Sequence, residues 1–195
     1  MNFLTEKTIY RQRLTSLKKE RLARALGLKG GTHPVIVDVT AGLGRDSFIL
    51  ASLGFEVTLL ERSSVMYQSI VEGMQHARKE EALAAIVDRM HVIHVDAIIW
   101  LPQLSDDEKP DKIYLDPMFP ERKKSALPKK DMQLLQDMVG EDVDADTLLQ
   151  VALRVAKDRV VVKRPRLANS LVSDRTPSFA LTGSSSRFDV YITKE

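Results

Sequence analysis

Val35-Ile36-Val37-Asp38-Val39 is a short run dominated by β-branched residues, and it opens into Thr40-Ala41-Gly42-Leu43-Gly44 and then a helical pattern to about Leu53. A continuous apolar strand of this kind must be covered on both faces, which is the condition of a strand inside a parallel sheet. The same unit recurs. Strands are expected at about 55–60, 91–95, 112–115 and 160–163, with helices predicted at 63–78, 80–88, 130–139 and 146–157. The alternation predicts a doubly wound parallel sheet. Phe179–Thr182 and Phe188–Ile192 flank Gly183-Ser184-Ser185-Ser186-Arg187 and predict an antiparallel hairpin at the end. Residues 5–27 read as one basic helix closed by glycines.

Composition narrows the chemistry. The 195 residues include no cysteine, which excludes disulfides, thiolate-bound metals and a cysteine nucleophile. His33, His76, His91 and His94 have no metal-ligand spacing, and no metal is expected. No apolar run is long enough for a membrane span, and charges interrupt the N-terminus where a signal peptide needs an apolar stretch. A reducing cytoplasm is the expected compartment. Net charge is only +2, but it is segregated. Residues 1–30 carry eight Lys/Arg against two Glu, and 121–130 and 157–166 each carry five against one. A positive face on a near-neutral body suits a polyanion, although solvated helix faces give the same pattern.

In doubly wound sheets ligands bind outside the carboxyl ends of the strands. The first strand ends in Asp38, ahead of the Gly42/Gly44 turn; Ser47 stands where a dinucleotide fingerprint has its third glycine. A carboxylate there repels a pyrophosphate and attracts an ammonium or sulfonium. Glu61 ends the second strand and can accept from both hydroxyls of a ribose, with Arg62 beside it to cover the ligand or pair with Glu61. Asp96 ends the third strand, placed to accept from an adenine amino group or to cap the stretch that follows. Together these acids predict an S-adenosylmethionine site.

The fourth strand ends in Asp116-Pro117-Met118-Phe119-Pro120, which resembles the Asp/Asn-Pro-Pro-aromatic motif of amino-group methyltransferases, with Met118 in place of the second proline. A conjugated amine is a poor nucleophile, and two acceptors must hold its N–H groups to aim the lone pair. The Asp116 carboxylate and the Pro117 carbonyl are the candidates, with Phe119 as a stacking surface. Arg122, Lys123 and Lys124, and Lys163-Arg164 at the end of the fifth strand, are candidate RNA-phosphate contacts.

Over nearly the whole chain, the strings Asp38–Asp46, Leu60-Glu61-Arg62, Tyr114–Pro120, Lys123–Leu127, Val161–Pro165 and Arg187-Phe188-Asp189 resemble the RsmJ family, which methylates the exocyclic N2 of a guanosine in bacterial 16S ribosomal RNA. The resemblance implies a class I S-adenosylmethionine-dependent methyltransferase fold: Rossmann-like, seven-stranded, with an antiparallel last strand. It implies cofactor contacts at Arg45 and Asp46, at Glu61 and Arg62, at Asp96 and Ala97, and at Asp116. It divides the chain into a basic helical extension, 1–31, and a methyltransferase domain, 32–195. Family members carry a further segment before the basic helix, so a shorter homologue or a truncated chain is expected. The expected partner is 16S RNA or the small ribosomal subunit, and the sequence is silent on oligomeric state. Two rival readings are an amino-methyltransferase for another base or a glutamine side chain, and a non-catalytic RNA-binding assembly factor.

Overall fold

A computed structural model describes residues 4–117 and 144–194. The predicted helix at 130–139 and most of the predicted loop at 117–130 lie outside these residues, as do Phe119, Arg122, Lys123 and Lys124.

The elements in chain order are α1 (Glu6–Leu14), α2 (Arg21–Ala25), β1 (Ile36–Asp38), α3 (Arg45–Ser52), β2 (Val57–Glu61), α4 (Ser64–Ala77), α5 (Glu81–Val87), β3 (Met90–His94), α6 (Ala97–Trp100), β4 (Lys112–Leu115), α7 (Ala145–Val155), β5 (Arg159–Pro165), β6 (Phe179–Thr182) and β7 (Ser186–Ile192). The strands form one sheet in the order β3-β2-β1-β4-β5-β7-β6. β1 pairs in parallel with both β2 and β4, so the winding reverses between β1 and β4. β7 runs antiparallel to β5 and to β6, as expected for the closing hairpin.

Side-chain alternation builds a core on each sheet face. Ile36, Leu59, Tyr114 and Val161 belong to one cluster, with Leu22, Leu26, Phe48 and Ile49 from the helices. Val37, Leu60, Ile113 and Val162 belong to the other, with Leu148 and Leu149 of α7. The parity of β5 therefore puts Lys163 on the face of α2 and α3, and Arg164 on the face of α7.

The N-terminal segment corrects the single-helix expectation. Residues 5–27 form two helices rather than one, because Thr15 ends α1 in extended backbone and the Glu20 side chain caps α2 by accepting from Leu22 N–H. Hydroxyl and carboxylate side chains offer the backbone local partners that compete with helix continuation. Leu22, Ala23, Ala25 and Leu26 are fully buried in the same cluster as Phe48 and Val190, so α2 is integral to the core.

Candidate active site

The carboxyl ends of β1, β2 and β4 open on a cleft of about 350 Å³. That volume is in the range of small-molecule sites. Asp38 lies beneath the turn, 2% exposed. One of its oxygens accepts from Ser47 Oγ at 2.6 Å and the other from Thr40 N–H at 3.2 Å. Burial pushes its carboxyl up to about 7. The turn itself needs glycine at Gly44, whose φ is 71° and where a Cβ would sit 3.3 Å from Leu59 Cδ2. Gly42 also has positive φ, and its N–H donates to Glu61 Oε2 at 2.8 Å. Glu61 Oε1 accepts from Ser63 N–H at 2.7 Å. Both Glu61 oxygens are thus held by backbone donors, and a carboxylate oxygen can accept more than one donor.

At the edge of the same end, Asp96 Oδ1 accepts from Ile98 N–H at 2.8 Å, capping α6, and Asp96 and Ala97 both line the cleft. Arg62 also lines the cleft and pairs with Asp144 at 2.6 Å. Leu60, Met66, Val95, Ile98 and Leu148 supply apolar wall beside these polar groups.

The other end is built from charged side chains. Asp46, in the first turn of α3, accepts from Arg11 at 2.5 Å, from the Tyr114 hydroxyl at 2.7 Å and from Lys163 Nζ at 2.9 Å. Arg11 also donates to both oxygens of Glu20. Although burial opposes it, the charges of Lys163 and Arg11 hold the Asp46 carboxyl well below the usual range. Lys163 continues to Asp116 Oδ2 at 2.6 Å. Asp116 N–H donates to Thr40 Oγ1 at 2.6 Å, tying the end of β4 to the β1 turn. Desolvation pushes the Asp116 carboxyl up, against the pull of Lys163.

Two expected RNA contacts are placed elsewhere. Lys163 lies in the cleft between two aspartates, because it shares the sheet face of Val161. Arg164 is 7% exposed and donates to the Asn169 carbonyl at 2.8 and 2.5 Å, on the face covered by α7. Sequence reasoning also missed Arg11, Thr8 and Lys7 of α1, which line the cleft, and the Tyr114 hydroxyl. The odd-numbered parity of Val161 and Lys163 on β5 was a usable signal for Lys163. Nothing local in the sequence pointed α1 at this site.

A family model described as "Putative SAM-dependent methyltransferase" matches residues 1–193. The ribosomal RNA small subunit methyltransferase J of Thioalkalivibrio sulfidiphilus is 50% identical over 99% of this chain and 75% of its own length. That of Nitrosococcus oceani is 46% identical over 94% of this chain and 72% of its own length. The chain belongs to the ribosomal RNA small subunit methyltransferase J family. In fold it is similar to the crystal structure of a SAM-dependent methyltransferase from Neisseria gonorrhoeae, at a TM-score of 0.75 and 34% identity over 99% of this chain and 74% of that one. The chain is thus a class I methyltransferase that uses S-adenosylmethionine. The residues present fit that group. The cleft is large enough, pairs an apolar wall with the acceptor Glu61, and holds carboxylates at its opposite end. Arg45 Nε is buried at the lining with no hydrogen-bond partner among the described residues, so a donor there awaits an acceptor.

Proposed function

We propose that this enzyme methylates the exocyclic N2 of a guanosine in the 16S RNA of the small ribosomal subunit, in the cytoplasm. The relatives' names support a ribosomal RNA substrate. The observation that carries the amine chemistry is the position of Asp116-Pro117. It ends the strand beside β1, at the switch point, and its carboxylate lines the donor cleft.

The guanine amine is conjugated with its ring, so its lone pair must be turned out of conjugation before it attacks. The Asp116 carboxylate accepts one N–H and the Pro117 carbonyl accepts the other, leaving the lone pair facing the cleft. S-adenosylmethionine, when bound, supplies an activated methyl group on a sulfonium. Glu61 accepts from the ribose hydroxyls, and Asp96 with Ala97 borders the adenine. Arg45 and Asp46 hold the amino-acid end, and Asp38 beneath the turn adds negative charge near the donor's cationic centre when ionised, above its midpoint of about 7. Arg62 covers the ligand from the rim, and Gly42 and Gly44 let the backbone approach it. Phe119 stacks on the base, and Arg122, Lys123 and Lys124 hold flanking phosphates.

The test is a tritiated-methyl assay on 16S RNA and on small subunits from cells lacking the enzyme, followed by nucleoside analysis. Label in N2-methylguanosine is expected. Label in adenosine or protein, or RNA binding without transfer, overturns the reading.

A further inference from the structure

Lys163 has a place in the cleft that neither the family motifs nor an RNA-phosphate role explains. Its Nζ lies 2.9 Å from Asp46 Oδ2 and 2.6 Å from Asp116 Oδ2. Asp46 cannot yield to it, because Arg11 and the Tyr114 hydroxyl fix the same carboxylate from α1 and β4. The ammonium is therefore anchored on one aspartate and grips the other. Both of its contacts are carboxylates, so its charge is neutralised within the cleft rather than presented to a phosphate.

We propose that Lys163 is a positioning residue for methyl transfer: it fixes the orientation and the charge of the Asp116 carboxylate that receives the substrate amine. The role rests on the amine-clamp reading of Asp116 given above. The groups facing Asp116 are Lys163 from β5, Asp46 from α3, Arg11 from α1, Asp38 from β1 and Tyr114 from β4. Two of these five are carboxyls, two are cations, and Tyr114 is a phenol that stays neutral. Without Lys163, Asp116 is a desolvated carboxylate beside two others, the arrangement in which a carboxyl takes up a proton. A protonated Asp116 oxygen donates where it must accept, and the amine loses one of its two holds. Lys163 itself stays cationic, since Asp46 and Asp116 raise it above its ordinary value despite burial.

The experiment compares wild type with Lys163→Met, Lys163→Arg and Lys163→Cys. The chain has no cysteine of its own, so aminoethylation of the last variant restores an ammonium at that position alone. First, the Asp116 carboxyl is titrated by carbon-13 NMR in the free protein, assigned by difference from Asp116→Asn. Loss of the lysine is expected to raise its midpoint by about one to three pH units, with Lys163→Arg and the aminoethylated protein returning most of the way. Second, kcat for methyl transfer to small subunits is followed against pH. Its acid limb is expected to move upward in step, giving a deficit of roughly 10- to 100-fold at low pH that narrows as pH rises, while KM for RNA holds. Should Lys163→Met fail to fold, Lys163→Cys before and after aminoethylation carries the comparison. An unmoved Asp116 midpoint, a deficit equal at every pH, or a raised KM with a flattened salt dependence overturns the proposal. A moved midpoint in a protein that labels no guanosine supports the Lys163 role and overturns the substrate reading alone.

Discussion

The two ends of the cleft satisfy their carboxylates by different means. Glu61 and Asp96 accept from backbone N–H groups of Gly42, Ser63 and Ile98, which the fold fixes in place. Asp46 and Asp116 accept from Arg11, Lys163 and Tyr114 side chains that converge from α1, β5 and β4. Backbone donors carry no titratable charge and survive every substitution except proline. The first end is thus a rigid receptor. The second is an electrostatic chain whose members set one another's ionisation, and a single substitution changes several of them.

The comparison breaks most visibly at Asp116. Asp116→Ala is expected to lower kcat by about 10²-fold or more, the scale of losing one preorganised polar group. Steady-state methylation of small subunits measures it, and a near-wild-type rate removes Asp116 from the mechanism. Arg11→Ala comes next. It leaves Glu20 and Asp46, both largely buried, without their shared cation. Breaking such a pair, discounted for the 37% exposure of Arg11, should cost about 1–3 kcal/mol in urea unfolding. A change near zero would show that α1 merely rests on the site.

Glu61→Gln sharpens the contrast from the rigid end. An amide cannot accept on both sides, so either Gly42 or Ser63 N–H loses its partner. Calorimetry should show S-adenosylmethionine binding weakened by roughly 10- to 100-fold, and the pH profile of transfer should keep its shape. A moved acid limb would merge the two ends into one network.

The effect that depends on pH through folding is at Asp38. Its carboxyl titrates near 7 when folded and at about 4 when unfolded. Protonation therefore favours folding fully below about pH 4, and that gain is lost as pH rises through 7. Asp38→Asn cannot ionise, so its stability relative to wild type should climb between pH 4 and 7 and level off above. Parallel stability curves would contradict this.

How much of this was legible in the sequence divides along the same line. The sheet, its reversed ending and the strand-end acids Asp38, Glu61, Asp96 and Asp116 follow from local patterns, since periodicity and turn chemistry are written in adjacent residues. The rigid end of the cleft uses only such local signals. The charged end depends on residues far apart, 35 positions between Arg11 and Asp46 and 117 between Asp46 and Lys163. Which cation meets which carboxylate is decided by packing of the whole sheet. That is why Lys163 and Arg164 read alike as basic surface, though one lies in the cleft and the other is buried under α7. The break in the N-terminal helix escaped notice for the same reason, because Glu20 serves as a cap and as the partner of Arg11 together.

A crystal structure of the complex with S-adenosylhomocysteine tests the central claim most directly. It should show the ribose diol on Glu61 and the sulfur turned toward Asp116 and Lys163. The product seated outside the β1–β4 switch point, or its ribose away from Glu61, would contradict the account.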